Sequence, residues 1–110
     1  MDSMTDIIQI EWTAGSIDEA RKISRYLVQE RLAAQAGIIP WIEKITLLNG
    51  QLDTSQESKI FLTAKLQHFE AIKKVILDNS SYQIPEITYR KLDYVNEAYL
   101  DWMAGHEQHS

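Results

Sequence analysis

The chain of 110 residues contains no cysteine. That excludes disulfides, thiol nucleophiles, zinc ribbons and Cu(I)–thiolate sites together. Glycine and proline are sparse, four and two respectively, and no linker or low-complexity tract interrupts the chain, so 1–110 reads as a single domain. No apolar run approaches the ~20 residues that cross a bilayer, and residues 1–6 carry two acids and no basic n-region. A cytoplasmic protein without membrane contact is expected. A concentrated basic patch is lacking too. Eleven basic residues face sixteen acidic ones for a net charge of −5, and the basic ones stand singly or in pairs such as Arg21-Lys22, Lys73-Lys74 and Arg90-Lys91. Counterion release from nucleic acid needs clustered cations, so nucleic-acid binding is not expected. There is no phosphate-cradling glycine loop, no Ser/His/Asp set and no carboxylate–histidine cluster at ligand spacing, and no catalysis is expected.

What is present is a run of well-marked elements. Ile8, Ile10 and Trp12 alternate with Gln9, Glu11 and Thr13, the period of a strand with one buried face. Ser16-Ile17-Asp18-Glu19 has the form of a capping box, and Ile17, Ala20, Ile23 and Leu27 then recur at helical spacing to about residue 30 or 31. The stretch 33–48 is apolar and rich in isoleucine, with Pro40 implying a bulge, edge or bend. Asn49-Gly50 is a strong type I′ hairpin signal, and the returning strand places Ile60, Leu62 and Ala64 on one face. Phe69, Ile72, Val75 and Ile76 form the stripe of a second helix; 82–89 reads as a short fourth strand holding Pro85. Ala98, Tyr99, Trp102 and Met103 mark a terminal helix that Gly105 is expected to end, leaving a flexible tail over about 105–110.

The order β-α-β-β-α-β-α places the chain in the α+β class as a ferredoxin-like βαββαβ sandwich with a long central hairpin and a C-terminal helix. A two-stranded ribbon of that length is marginal alone, so pairing with another subunit is expected.

Several segments resemble the CutA family of divalent-cation tolerance proteins. These are Glu30-Arg31-Leu32-Ala33-Ala34 with Ile38-Ile39-Pro40, the Asn49-Gly50 turn, Tyr82 with Ile84-Pro85-Glu86-Ile87, and Tyr99-Leu100-Asp101-Trp102. They fall in the family order across nearly the whole chain. The resemblance implies a homotrimer similar to the signal-transducing PII proteins, with a small ligand or a metal ion held in intersubunit clefts, and a link to copper and divalent-cation tolerance. This sequence departs from the family pattern at Gln35, where a cysteine is usual, at Ser80-Ser81, where His-Pro is usual, and at Gln83, where Glu is usual; Leu47 and Leu48 stand where aromatics are usual.

On that resemblance the ligand-binding candidates are Tyr82, Glu86, Arg31 and Gln83, with Lys65 beside them, and the metal candidates are Glu86, His106 and His109. The resemblance fixes no cofactor; a divalent cation such as copper is the one it implies. Plainer roles stand against each. Glu86 pairs with a basic residue such as Arg31, Tyr82 packs at a subunit seam, and His68 is a solvated residue at a helix start. His106 and His109 are one residue short of the zinc-protease spacing. Trp41, Tyr99 and Trp102 serve packing rather than a binding box. The rival function is a structural or signalling scaffold trimer acting through protein partners, its ancestral metal site lost.

Overall fold

The computed structural model describes residues 6–108, with side chains through residue 105. Its elements are β1 (Ile7–Ala14), α1 (Ile17–Gln29), β2 (Gln35–Leu48), β3 (Gln51–Lys65), α2 (Phe69–Asn79), β4 (Ile87–Lys91) and α3 (Glu97–Gln108), with one 3-10 turn, Leu66–His68, leading into α2. The sheet is antiparallel in the order β2-β3-β1-β4. This is the ferredoxin-like arrangement the element order implies.

Strand periodicity sets the layers. Ile8, Ile10 and Trp12 of β1 and Ile60, Leu62 and Ala64 of β3 point to one face and are fully buried against Ala20, Ile23 and Leu27 of α1 and Ile72 and Ile76 of α2. Alternation turns Ile7 the other way. It gathers with Ala34 and Met103 into a second, smaller cluster, flanked by Leu92, Val95 and Tyr99, which is where α3 docks.

Local chemistry fixes the ends. Ser16 caps α1 by accepting the Glu19 amide at 3.1 Å. The reciprocal arm of the capping box is replaced: Glu19 Oε1 accepts the Ser81 amide at 3.0 Å, tying the start of α1 to the α2–β4 loop. At the far end Arg31 takes a left-handed φ of 61° while Leu32 N–H donates to Leu27 O and Arg31 N–H to Val28 O. That is a Schellman closure without the usual glycine, so no glycine marks it in the sequence. Asn49 and Gly50 both have positive φ, 52° and 79°, as the hairpin turn requires. The proline in β2 coincides with a register shift between Ile39 and Ile42 against β3, and Ser58 Oγ donates to the Pro40 carbonyl at 2.6 Å.

Two boundaries differ from the sequence pattern. The fourth strand starts at Ile87 and runs to Lys91 rather than covering 82–89. Pro85 has no amide to offer a ladder, the Tyr82 amide is taken by Ser80 Oγ at 3.1 Å, and the Ser81 amide by Glu19. The last helix continues through Gly105 to Gln108, because glycine in a helix costs only about 1 kcal/mol relative to alanine. No described helix is long and apolar enough to cross a membrane.

Candidate functional site

Beyond Ile42 the β2–β3 ribbon projects away from the helices. Where it leaves the body, the 80–86 loop folds across it, and the polar side chains meet there. The loop can come so close because β1 is followed by Gly15: a Cβ at that position would lie 2.9 Å from Ser81 Oγ and 3.4 Å from the Tyr82 ring. A backbone bond from Thr13 N–H to Glu86 O, 3.3 Å, fixes the end of the loop to β1.

Glu57 of β3, opposite Ile42, is the centre of the first group. It is only 8% exposed. Tyr82 donates its phenol to Glu57 Oε2 at 2.9 Å, Ser55 Oγ donates to the same oxygen at 3.2 Å, and Lys44 Nζ lies 3.6 Å from Oε1. A buried carboxylate is tolerated when donors and a counter-charge replace its water, and these three supply them. Burial pushes the Tyr82 phenol up to about 12, helped by its hydrogen bond to Glu57 and by the negative charges of Glu57 and Glu19.

Two residues along β3, Lys59 is the centre of the second group. Its ammonium lies 3.4 Å from Glu11 and 3.8 Å from Glu86, while Thr13 Oγ1 donates to Glu86 at 3.3 Å. The basic partner of Glu86 is thus Lys59, in the place where Arg31 is expected from the sequence. One side of the domain therefore carries Glu57–Tyr82–Lys44 and Glu11–Lys59–Glu86 in succession.

The other sequence candidates are distributed differently. Gln83 is exposed on the same loop, next to Ile84, which is 90% exposed. Arg31 sits at the C-terminal cap of α1, and Lys65 pairs with Ile7 at the far end of β3. Six residues of strand separate Lys65 from Lys59, roughly 20 Å, so a single chain does not bring Lys65 to Glu86. His106 lies in the final turns of α3, and His109 is outside the described residues. His68 is partly buried at the N-cap of α2 with its Nδ1 buried and unpartnered, not the solvated residue its position in the sequence suggests. Sequence reasoning missed Glu57, Lys44 and Lys59. The one signal available was an acid and a base two apart on one strand face; nothing in the sequence shows that the 80–86 loop would close over them.

Comparison with known proteins decides the family. The CutA1 divalent ion tolerance family model matches residues 8–106. The chain belongs to the CutA1 family. A divalent-cation tolerance protein CutA from Thermus thermophilus is 31% identical over 100 residues, covering 91% of this chain and 95% of that protein. The solved Thermus thermophilus structure superimposes with a TM-score of 0.81 at 30% identity over 87% of this chain and 93% of that one. The structure of divalent ion tolerance protein CutA1 from Ehrlichia chaffeensis gives a TM-score of 0.88 over 94% and 97% at 20% identity, a likeness of fold alone. At the positions where this CutA1 member departs from the family pattern, the replacements have local roles. Ser80 caps the end of α2 and accepts the Tyr82 amide, Ser81 donates its amide to Glu19, and Gln35 is the exposed first residue of β2.

The donor set of the described residues does not fit a divalent ion within one chain. Among the described residues no three His, Cys, Asp or Glu side chains are grouped closely enough to hold one. Glu11 and Glu86, which come together at Lys59, already share its ammonium.

Proposed function

We propose that this CutA1 member serves divalent-cation tolerance as a non-catalytic homotrimer that holds a small ligand beside the 80–86 loop, in a cleft that a second copy completes. The observation that carries this reading is the projecting ribbon: Ile45, Leu47, Leu48 and Leu52 are all exposed on it, beside Trp41. Ile45, Leu47 and Leu52 share one face, and exposed apolar surface of that kind on a two-stranded ribbon is the mark of an interface. The polar groups at its base, Tyr82, Gln83 and Glu86, then face whatever packs against the ribbon. In that setting Arg31 and Lys65 of a neighbouring copy can meet Glu86, whose ion-pair partner within the chain is Lys59. An exposed carboxylate next to Gln83 and exposed Ile84 suits a ligand with a cationic or hydrogen-bonding head and an apolar body.

A second reading, a scaffold trimer acting through protein partners, is favoured by one observation: Lys59 neutralises the carboxylates that a metal would need. Calorimetric titration with Cu²⁺ of the assembled protein, Glu86→Gln and Lys59→Met separates the two, with light scattering on the same samples. If the cleft retains cation chemistry behind the lysine, Lys59→Met binds Cu²⁺ about tenfold more tightly than the parent, and adding Glu86→Gln cancels the gain. Trimers that bind no Cu²⁺ in any variant move the function to partner proteins, and monomers at every concentration overturn both readings.

A further inference from the structure

A cleft away from the 80–86 loop carries a separate site. It lies between α1, the first residues of β2 and α3, has a volume of 860 Å³, and is lined by Arg21, Ser24, Arg25, Ala34, Ile38 and Trp102 among others. Arg21 and Arg25 are one helical turn apart, so both guanidinium groups reach the same mouth. Both are exposed, and neither makes an ion pair or hydrogen bond among the described residues. Five other cations of this chain are paired with carboxylates: Lys44 with Glu57, Lys59 with Glu11 and Glu86, Lys73 with Glu70, Lys74 with Asp78 and Lys91 with Asp6. With Lys22, which also lacks a carboxylate partner among the described residues, the two arginines make one face of α1 a concentration of unpaired positive charge in a chain of net charge −5. Asp18, one turn before Arg21, bridges to neither.

The second observation is independent of the arginines. Ser24, three residues after Arg21 and next to Arg25, is only 3% exposed, and its hydroxyl is buried without a hydrogen-bond partner. A buried hydroxyl left unpaired is destabilising, and serine in a helix ordinarily escapes that by bonding back to the preceding turn. Here it lines the same cleft as the two guanidinium groups. The remaining walls are apolar: Ala34 and Ile38 on the β2 side, and Trp102, which is 47% exposed, on the α3 side. Guanidinium forks match a planar or tetrahedral oxyanion, while a flat apolar wall with an indole at its edge matches a ring.

We propose that this cleft binds a small organic anion, a phosphate or carboxylate carried on an aromatic ring, with Arg21 and Arg25 clamping the anion, Ser24 donating to it as the helix face adjusts, and Trp102 covering the ring. The site is distinct from the 80–86 loop and does not depend on the reading of that loop. Phenyl phosphate is the probe, titrated into the full chain by calorimetry and tryptophan fluorescence, with inorganic phosphate and phenol as the separate halves. Phenyl phosphate is expected to bind about tenfold or more tightly than either half, and Arg21→Gln/Arg25→Gln to weaken it by at least about tenfold. Glutamine is a good helix former, and both positions are exposed, so the double variant keeps the fold. Trp102→Phe removes the fluorescence response while leaving heat of binding, which assigns the signal among Trp12, Trp41 and Trp102. Arg21→Lys/Arg25→Lys keeps the charge and loses the fork, and so binds between the parent and the glutamine variant. Binding unchanged in Arg21→Gln/Arg25→Gln, or no saturable binding of phenyl phosphate to the parent, overturns the site. A double variant that disassembles, with no binding by the parent, assigns the arginines to contact between copies and overturns it equally.

Discussion

The two halves of β3 obey different rules although they are one continuous strand. From Ser58 to Lys65 the residues alternate, and Leu62 and its neighbours Ile60 and Ala64 are fully enclosed by helices. From Gln51 to Gln56 every residue is exposed, Leu52 at 76%, and across the ribbon Leu47 is 70% exposed. The first half is finished by its own chain. The second has the hydrogen-bonded register of a strand, Leu47 opposite Leu52 and Leu48 opposite Gln51, but no layer to bury its leucines. Backbone pairing thus continues along the strand where side-chain burial stops, and the polar groups of Glu57 mark the boundary.

That contrast is most directly broken by truncating a leucine on each side of it. Leu62→Ala is expected to cost about 2–5 kcal/mol in urea unfolding, at any protein concentration. Leu52→Ala is expected to cost almost nothing in the dispersed chain and to cost progressively more as concentration rises, because only association covers it. Equal, concentration-independent losses at both sites would mean that the far half is stabilised within its own chain. Next in size is the response to charge. Leu47→Asp/Leu52→Asp places two carboxylates directly opposite each other on the ribbon, and light scattering should find it monomeric under conditions where the parent is assembled. Its far-ultraviolet circular dichroism should remain that of the folded domain.

The sequence makes the enclosed half legible and leaves the boundary obscure, for physical reasons. Ile8, Ile10 and Trp12, the Ser16 cap, the Asn49-Gly50 turn and the helical stripes are local patterns, each set within a few residues, and the structure places them where the pattern requires. The fourth strand starts later than the pattern suggests because 81–86 has strand composition but spends its amides elsewhere: Tyr82 on Ser80 and Ser81 on Glu19, 62 positions away. The Glu57 group was invisible for the same reason, since Tyr82 and Glu57 are 25 residues apart with a helix between them. Glu86 and Tyr82 are legible only through family resemblance. That resemblance could show neither that Lys59 would sit between Glu86 and Glu11 nor that Arg31 would close α1 with a left-handed φ.

A third test falls on the boundary itself. Glu57→Ala removes the acceptor that holds the Tyr82 phenol and Ser55 hydroxyl and leaves Lys44 without its counter-charge, with an expected loss of about 1–3 kcal/mol. Tyr82→Phe in the same background should add little, since its partner is already gone. The shortfall from additivity in the double variant measures the Tyr82–Glu57 coupling. Additive losses would show that Tyr82 contributes through ring packing against Gly15 alone.

The smallest effect is one of pH, and it isolates the same bond without disturbing its packing. The Tyr82 phenol is raised to about 12 by burial and by Glu57, against about 10 in an unfolded chain. The folded state therefore holds the phenol proton more tightly than the unfolded state. The associated stability is complete below pH of about 10 and disappears as pH rises through about 12. Between those values the parent should lose stability more steeply than Tyr82→Phe, while the remaining tyrosines titrate in both and cancel in the difference. Parallel slopes would place the phenol in water and detach the 80–86 loop from the ribbon. A steeper slope for the parent, paired with faster amide exchange in 42–57 at high pH, would show that one phenolic proton helps set the angle at which the uncovered half of the hairpin leaves the covered one.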